Sequence, residues 1–154
     1  MDTTIMNYPK GASVLIIQGN DVLAVRRGNS DKWGLPGGRL EEGEGTLEAA
    51  VRECAEEAGI CLDPAAGKFV YGGICNADHL SKKEYWVDTF MFKMPPSQRA
   101  CTIEKDNPVK WMPVTEFLSK SSFPDYHKLL FSSVCDIVPS LESLHILHVG
   151  PDLN

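Results

Sequence analysis

Residues 38–60, GRLEEGEGTLEAAVRECAEEAGI, contain seven glutamates in 23 residues, with Arg52 among them. Glu53, Glu56 and Glu57 are spaced three and four residues apart, which would place them together on one face of a helix. Like charges at this spacing repel and destabilise a helix unless a cation neutralises them or they share a proton. Two interpretations are open: a solvated acidic face, or a site for Mg²⁺, which prefers oxygen ligands.

The signals around these carboxylates predict a helix from residue 46 to 58. Thr46 is a candidate N-cap, Glu48 favours the first turn, and Gly59 is a natural stop. Glu48 and Arg52 have the spacing of a helix-supporting ion pair. An apolar face predicted to pack on a sheet contains Leu47, Ala50, Val51, Cys54 and Ala58.

The other elements mix strands and helices. A hairpin is predicted from residues 11–18 and 22–27, because the turn residues Gly-Asn-Asp separate two β-branched, apolar runs. Further strands are expected at residues 68–76, 84–94 and 108–114, a helical turn at 115–118, a helix at 124–138, and an optional strand in the tail after residue 144. The pattern predicts a single α/β domain over residues 1–154.

Composition narrows the function classes. The formal net charge is −6, which disfavours binding to a nucleic-acid polymer, since that requires a basic face. The five cysteines show no Cys-x-x-Cys pair, so reduced thiols and a cytoplasmic protein are expected. Neither a signal peptide nor a run of apolar residues long enough for a membrane span is visible.

The segment resembles the signature of the Nudix hydrolase family, G-x5-E-x7-R-E-U-x-E-E-x-G-U, where U is a bulky apolar residue. All seven invariant positions match, and Cys54 stands where the family prefers a larger aliphatic residue. The preceding KWGLPGG and the later VKWMPVTEF also look like family features. The matching positions are Gly38, Glu44, Arg52, Glu53, Cys54, Glu56, Glu57, Gly59 and Ile60.

The resemblance implies an α/β/α sandwich with a mixed sheet between helices. It also implies metal-dependent hydrolysis of a nucleoside diphosphate linked to another group, with Mg²⁺ or Mn²⁺ as the cofactor. The implied metal ligands are Glu53, Glu56, Glu57 and the carbonyl of Gly37. Arg52 would orient Glu53, Glu44 would support Arg52 or the attacking water, and Gly38 would let the backbone approach closely.

The general base and the substrate contacts are less determined. Glu56 or Glu57 is the first choice for the base, and Glu104 and Asp106 are alternatives for which loop solvation is the simpler explanation. By alternation only one of Arg26 and Arg27 is expected to face the site, where it would reach phosphates, and a solvated strand end is an equal alternative. Trp33, Tyr85, Trp86 and Phe90 are candidates for stacking on a base, although core packing is the better explanation for any one of them; Asp78 and His79 are weaker candidates for substrate contact. His145 and His148 lack the further ligands that a zinc site needs.

The family features favour a MutT-like enzyme that converts a (deoxy)nucleoside triphosphate to the monophosphate and pyrophosphate. An ADP-ribose or nucleotide-sugar pyrophosphatase is the alternative within the family, and a non-catalytic nucleotide sensor is the alternative from another class. The expected partner is a small nucleotide, with no nucleic-acid polymer and no membrane. Both a monomer and a homodimer are compatible with the sequence.

Overall fold

The structure, a computed structural model, describes residues 8–78 and 83–138. Its strands are β1 (Lys10–Leu15), β2 (Ile17–Gln18), β3 (Asp21–Arg26), β4 (Trp33–Gly34), β5 (Gly37–Arg39), β6 (Lys68–Asp78), β7 (Lys83–Met91) and β8 (Val109–Pro113). Its helices are α1 (Thr46–Ala58), a 3-10 helix (Pro64–Ala66), α2 (Val114–Ser119) and α3 (Pro124–Val134). The tail strand, His79, His145 and His148 lie outside the described residues, and so does the side chain of Asp78.

Within residues 8–78 and 83–138, two four-stranded sheets form the framework. The first has the order β5-β1-β7-β6, and it is mixed because β1 runs parallel to β7 and antiparallel to β5. The second joins β2, β3 and β4 and adds β8 beside β3. The first sheet positions the site, because β5 carries the glycine pair of the Nudix-like segment.

The predicted hairpin is confirmed, with one correction. Ile17 pairs with Val22 across a turn in which Gly19 has a φ of +61°, a conformation that glycine adopts without strain. The predicted first strand, residues 11–18, is however divided at Ile16. Its first part belongs to the first sheet and its last two residues to the second, so one apolar run serves both sheets.

Helix α1 matches the predicted helix, except at its first residue. Gly45 is the N-cap and Thr46 is the first helical residue, so Thr46 does not cap the helix as predicted. Gly59 ends it in the left-handed conformation, with φ at +69°, and its amide donates to Ala55 O at 3.1 Å. Helix α3 ends at Val134, four residues before the predicted end at residue 138.

Two apolar cores lie on opposite faces of the first sheet. Val14 of β1 packs with α1 in one core, and the adjacent Leu15 packs with α3 in the other, because successive strand residues point to opposite faces. On α1, Ala50, Cys54 and Ala58 are fully buried and Leu47 and Val51 partly so, which confirms the predicted apolar face. The first sheet therefore lies between α1 and α3, and the α/β/α fold class is confirmed.

Candidate active site

A pair of glycines on β5 brings the backbone of the sheet against α1. Gly37 pairs with Ser13 of β1, and a Cβ at position 37 would lie 2.8 Å from the Cα of Ser13. A Cβ on Gly38 would lie 2.8 Å from the carboxyl carbon of Glu53. Real Cβ atoms do not approach other atoms so closely, so a side chain at position 37 would displace the backbone of Ser13, whereas one at position 38 would displace only the end of the Glu53 side chain. The carboxylate of Glu53 consequently rests directly on the β5 backbone.

The side chain of Glu57 is buried at the same place. It is 7% exposed, and its Oε1 accepts a hydrogen bond from the amide of Gly37 at 2.7 Å. Its Oε2 accepts from Nη1 of Arg27 at 3.0 Å. Burial raises the pKa of Glu57 to about 6, while Arg27 and the Gly37 amide act in the opposite direction. Glu57 therefore joins α1 to both β5 and the end of β3.

Arg52 gathers the other acidic side chains of the segment. Glu44 accepts two hydrogen bonds from it, at 2.7 Å from Nε and 2.9 Å from Nη2. Nη1 donates to Glu53 at 2.8 Å and to Glu56 at 3.1 Å. The hydrogen bond from Arg52 is the main reason that the pKa of Glu44 is lowered to about 2. The guanidinium of Arg52 thus lies among carboxylates that would otherwise repel one another.

Arg52 also contacts the backbone of β5, and its ion pairs differ from the one predicted with Glu48. Nη2 donates to the carbonyl of Arg39 at 3.0 Å, which ties α1 to the end of β5. The predicted helix pair between Glu48 and Arg52 is wrong: within the described chain, the ion pairs of Arg52 are with Glu41, Glu44, Glu53 and Glu56. The bidentate geometry available to Glu44 is the stronger interaction.

The three carboxylates predicted to bind the metal are each hydrogen-bonded to an arginine: Glu53 and Glu56 to Arg52, and Glu57 to Arg27. Among residues 8–78 and 83–138, no three acidic, cysteine or histidine side chains converge closely enough to hold a metal ion. Glu53 and Glu57 nevertheless lie against the same glycine pair and offer carboxylate oxygens, the donors that Mg²⁺ and Mn²⁺ favour. The Glu56 side chain is 54% exposed and contacts Arg52, so it would have to turn toward that pair.

A cavity of about 230 Å³ opens on the other side of the glycine pair. Gly37 and Gly38 border it, together with Ser13 of β1 and Arg27. Its apolar and aromatic walls come from Leu35, Cys75, Tyr85, Val87, Phe123, Tyr126 and His127. The same two glycines therefore separate the carboxylates of α1 from a recess of a size and composition that suits a planar aromatic group.

Residues 7–131 match the model of the NUDIX domain family. The chain belongs to the NUDIX domain family. A Bacillus subtilis protein, named as a proposed 8-oxo-dGTP diphosphatase, is 45% identical over 53 residues, or 34% of this chain. That match spans 36% of the relative, so the chain covers about a third of its length.

Solved NUDIX structures share the fold. The dihydroneopterin triphosphate pyrophosphohydrolase of Escherichia coli superposes with a TM-score of 0.66 at 17% identity, covering 84% of this chain and 98% of that one. The NUDIX domain of NrtR from Shewanella oneidensis, solved with ADP-ribose, gives a TM-score of 0.63 at 20% identity, covering 84% and 88% of the two chains. At these identities the likeness shows the fold alone.

In this NUDIX domain the two arginines at the end of β3 take different directions. Arg27 reaches Glu57 and also donates from Nη2 to the carbonyl of Leu35 at 2.6 Å, and it borders the cavity. Arg26 turns back to its own loop and donates to Gly28 O at 3.0 Å. One of the two faces the site, as the alternation along the strand predicts, and it is Arg27.

The four aromatic residues considered for stacking on a base lie in different surroundings. Tyr85 borders the cavity, and Arg39 both stacks on its ring, 4.9 Å from the centroid, and hydrogen-bonds its hydroxyl. Trp33 is 8% exposed and belongs to the core that contains α3. Phe90 is 9% exposed in the opposite core, and Trp86 donates to Asp88 at 3.0 Å. Of the four, only Tyr85 is among the residues that line this cavity.

The alternative candidates for the general base, Glu104 and Asp106, lie in the loop before β8. Glu104 and Asp106 are exposed, and the neighbouring Asn107 accepts a hydrogen bond from the amide of Gly28 at 2.8 Å. Lys110 lies over the ring of Trp33, 5.0 Å from the centroid. The structure provides no contact between these acidic side chains and the Glu53–Glu57 cluster among the interactions described.

Several cavity residues were not singled out from the sequence. Ser13, Arg39, Phe123, Tyr126 and His127 come from three different elements or their ends, β1, β5 and α3, and their proximity depends on sheet register. A histidine beside a proline-initiated helix start gives no local signal of such a role. His127 is buried, its ring bonds to Ser121, and burial lowers its pKa to about 3.

Within the described part of the chain, no helix has the length and apolar character required to cross a membrane. All five cysteines, Cys54, Cys61, Cys75, Cys101 and Cys135, are free thiols.

Proposed function

We propose that this NUDIX domain hydrolyses a pyrophosphate bond of a nucleoside diphosphate linked to another group, in a reaction that requires Mg²⁺ or Mn²⁺. The leading substrate is a (deoxy)nucleoside triphosphate, which would yield the monophosphate and pyrophosphate. One observation carries the proposal: the Gly37–Gly38 pair contacts Glu53 and Glu57 on one side and borders an aromatic cavity on the other. A nucleotide spanning that pair would place its phosphates beside the carboxylates.

The oxygen donors for the ion would be Glu53, Glu56, Glu57 and the carbonyl of Gly37. When bound, a divalent cation offsets the charge of the phosphoryl oxygens and lowers the pKa of a water molecule. Glu53 and Glu57 already lie at the β5 backbone, whereas Glu56 would join them by leaving Arg52. The net charge of −6 supports a cation-dependent reaction, since an acidic chain and a polyphosphate repel each other without one.

Arg52 and Glu44 would act as positioning residues. Arg52 fixes the Glu53 carboxylate by a 2.8 Å hydrogen bond, and Glu44 fixes Arg52 by two bonds of 2.7 and 2.9 Å. Charge-assisted, bidentate pairs of this kind restrict a guanidinium to one orientation. Arg27 would hold Glu57 through a single hydrogen bond of 3.0 Å and would contact a phosphate at the edge of the cavity, where it is one-third exposed.

The structure favours Glu56 over Glu57 as the general base. Both oxygens of Glu57 are occupied, one by the Gly37 amide and one by Arg27, and the side chain is buried. Glu56 is largely exposed and has Arg52 as its described partner. A base must reach the attacking water and accept its proton, and Glu56 has the accessible oxygens for both.

The test is product analysis over a panel of substrates with Mg²⁺ and with Mn²⁺. The panel contains the standard ribo- and deoxynucleoside triphosphates, 8-oxo-dGTP, ADP-ribose and nucleotide sugars. Pyrophosphate released from triphosphates supports the proposal. Two monophosphates released from ADP-ribose or a nucleotide sugar would instead support the alternative activity, which the fold shared with an ADP-ribose-bound NUDIX domain makes worth including.

Glu56→Gln serves as the inactive reference in each reaction, and Glu48→Gln is the matched control, because Glu48 is an exposed glutamate of the same helix. Turnover by Glu56→Gln equal to that of the unmodified protein would overturn the assignment of Glu56. Metal-dependent nucleotide binding without any turnover would support a nucleotide sensor and contradict the proposed hydrolysis.

A further inference from the structure

Three hydroxyl groups form a chain behind the floor of the cavity. Ser13 Oγ lies 2.8 Å from Thr89 Oγ1, and Thr89 Oγ1 lies 2.7 Å from the hydroxyl of Tyr126. The Tyr126 hydroxyl in turn donates to the carbonyl of Val87 at 2.9 Å. Thr89 is fully buried and stands between two residues that line the cavity, Ser13 and Tyr126.

The direction of each hydrogen bond in this chain follows from counting protons. A backbone carbonyl only accepts, so Tyr126 gives its single hydroxyl proton to Val87 O. Tyr126 must then accept from Thr89, which uses the only proton of the threonine hydroxyl. Thr89 must accept from Ser13, which uses the only proton of the serine hydroxyl. Burial raises the pKa of Tyr126, so its hydroxyl remains protonated at neutral pH.

The consequence is that Ser13 presents only lone pairs to the cavity. Ser13 is 9% exposed, and among the interactions described its hydroxyl is bonded to Thr89 alone. A group that reaches Ser13 can therefore be bound only if it donates a hydrogen bond. A phosphate or keto oxygen would meet an acceptor facing an acceptor, which costs free energy in a buried site.

We infer that Ser13 is a specificity-determining residue, which accepts a hydrogen bond from an N–H or amino group of the substrate's nucleobase, and that Thr89 and Tyr126 hold it in the acceptor state. The inference rests on the proposed nucleotide substrate. The aromatic walls, Tyr85, Phe123 and Tyr126, suit a planar ring rather than a sugar. A ribose hydroxyl is the other donor that a nucleotide offers, and the experiment separates the two.

The experiment measures dissociation constants of nucleoside monophosphates by calorimetry, so that it does not depend on hydrolysis. In each matched pair, the second nucleotide lacks one hydrogen-bond donor of the first. The pairs are AMP and purine riboside monophosphate, GMP and IMP, CMP and its analogue with hydrogen in place of the 4-amino group, UMP and 3-methyl-UMP, and GMP and 1-methyl-GMP. AMP and 2′-deoxy-AMP test the ribose. With the unmodified protein, at least one of the pairs that differ in the nucleobase should show about a tenfold loss of affinity when the donor is removed.

Two variants test the residues. Ser13→Ala should abolish that preference, so that both members of the pair bind equally, while Ser119→Ala, an exposed serine on α2, should retain it. Thr89→Val frees the hydroxyl proton of Ser13, so an analogue with a keto group in place of the donor should gain affinity relative to the parent. Tyr126→Phe should shift the preference in the same direction, because Thr89 can then donate to Ser13.

If Ser13→Ala still binds the donor-containing nucleotide more tightly, the inference is overturned. It is also overturned if the unmodified protein shows no such preference in any pair that differs in the nucleobase. A loss confined to 2′-deoxy-AMP would place the donor on the ribose and contradict the assignment to the base. If the pairs behave as expected but no triphosphate is hydrolysed, the proposed function fails and the binding inference stands. Kinetic constants for the corresponding triphosphates complete the comparison.

Discussion

The amide of Gly37 donates to Oε1 of Glu57 over 2.7 Å, from the backbone of β5 to a buried carboxylate of α1. Arg27 supplies the second donor, at 3.0 Å from Oε2. Glu57 therefore links α1 to β5 and to the end of β3, which belong to different sheets. Its burial distinguishes it from the other glutamates of the helix, which are exposed or half-buried.

Glu57→Gln should reduce both stability and activity. The amide of glutamine has one acceptor and one donor group, so either Gly37 N or Arg27 would face a donor. An unsatisfied buried group costs about 1–3 kcal/mol, and we expect the free energy of unfolding to fall by about that amount. Urea denaturation measures the stability, and Glu48→Gln, an exposed position on the same helix, is the control. Equal stability of the two variants would contradict the role of this contact.

Alanine at the two glycines of β5 should have different effects. In Gly37→Ala the new Cβ would overlap backbone and Cβ atoms of Ser13 and the carbonyl of Ala12, so the pairing of β1 with β5 must shift and stability should fall by several kcal/mol. In Gly38→Ala the Cβ meets the carboxylate of Glu53, the end of a side chain that can move. This variant should keep most of its stability and lose activity.

Thermal unfolding and hydrolysis rates measured together distinguish these two outcomes. Gly45→Ala is a suitable control for both, because its Cβ would approach only the flexible carboxylate of Glu48, at 3.3 Å. We expect a loss of less than about 1 kcal/mol there, the range for an N-cap substitution. A fully active Gly38→Ala variant would show that the position of Glu53 against β5 is not needed for catalysis.

Arg52→Lys tests orientation apart from charge. Lysine keeps the positive charge but cannot make the two parallel bonds to Glu44 while also reaching Glu53 and the carbonyl of Arg39. We expect a loss of metal affinity or activity of about 10- to 100-fold, the usual effect of removing a residue that orients a ligand. Metal titration followed by activity measurement provides the readout. Arg99→Lys, at an exposed arginine, should be unaffected.

His127 should make the folded protein less stable in mild acid. Burial lowers its pKa from 6.5 to about 3, and Arg27 contributes in the same direction. Ser121 bonds the ring and Tyr126 packs on it, and neither carries a charge at neutral pH. Because the unfolded chain takes up a proton below pH 6.5 and the folded chain does not, stability falls as the pH drops from 6.5 toward 3.

Between pH 7 and pH 5 this difference amounts to about 2 kcal/mol of unfolding free energy. His127→Phe removes the titrating group, so its stability should change less over the same interval. The comparison uses urea denaturation of both proteins at each pH, which cancels the contributions of other groups. Parallel pH profiles for the two proteins would show that His127 is protonated equally in the folded and unfolded states.

The sequence by itself determined the family, the carboxylate helix and the glycine pair that precedes it. These features are local: the spacing of Glu53, Glu56 and Glu57, the matched signature and the stop at Gly59 lie within 23 consecutive residues. The hairpin at Gly19 and most strand positions were predictable for the same reason, since turn residues and apolar alternation act over a few positions. The error at Glu48–Arg52 arose where several carboxylates compete for one guanidinium, and the error at Thr46 is a helix start displaced by one residue.

Only the tertiary structure decided which of the glutamates is buried, which arginine meets it and what forms the cavity. Glu57 and Arg27 are 30 residues apart in sequence, and Ser13 and Thr89 are 76 apart. Their contacts depend on the register of β1 against β5 and β7, where a shift of one residue would turn Ser13 to the opposite face. Register is set by the packing of whole sheets, so the pattern around any single residue does not reveal it.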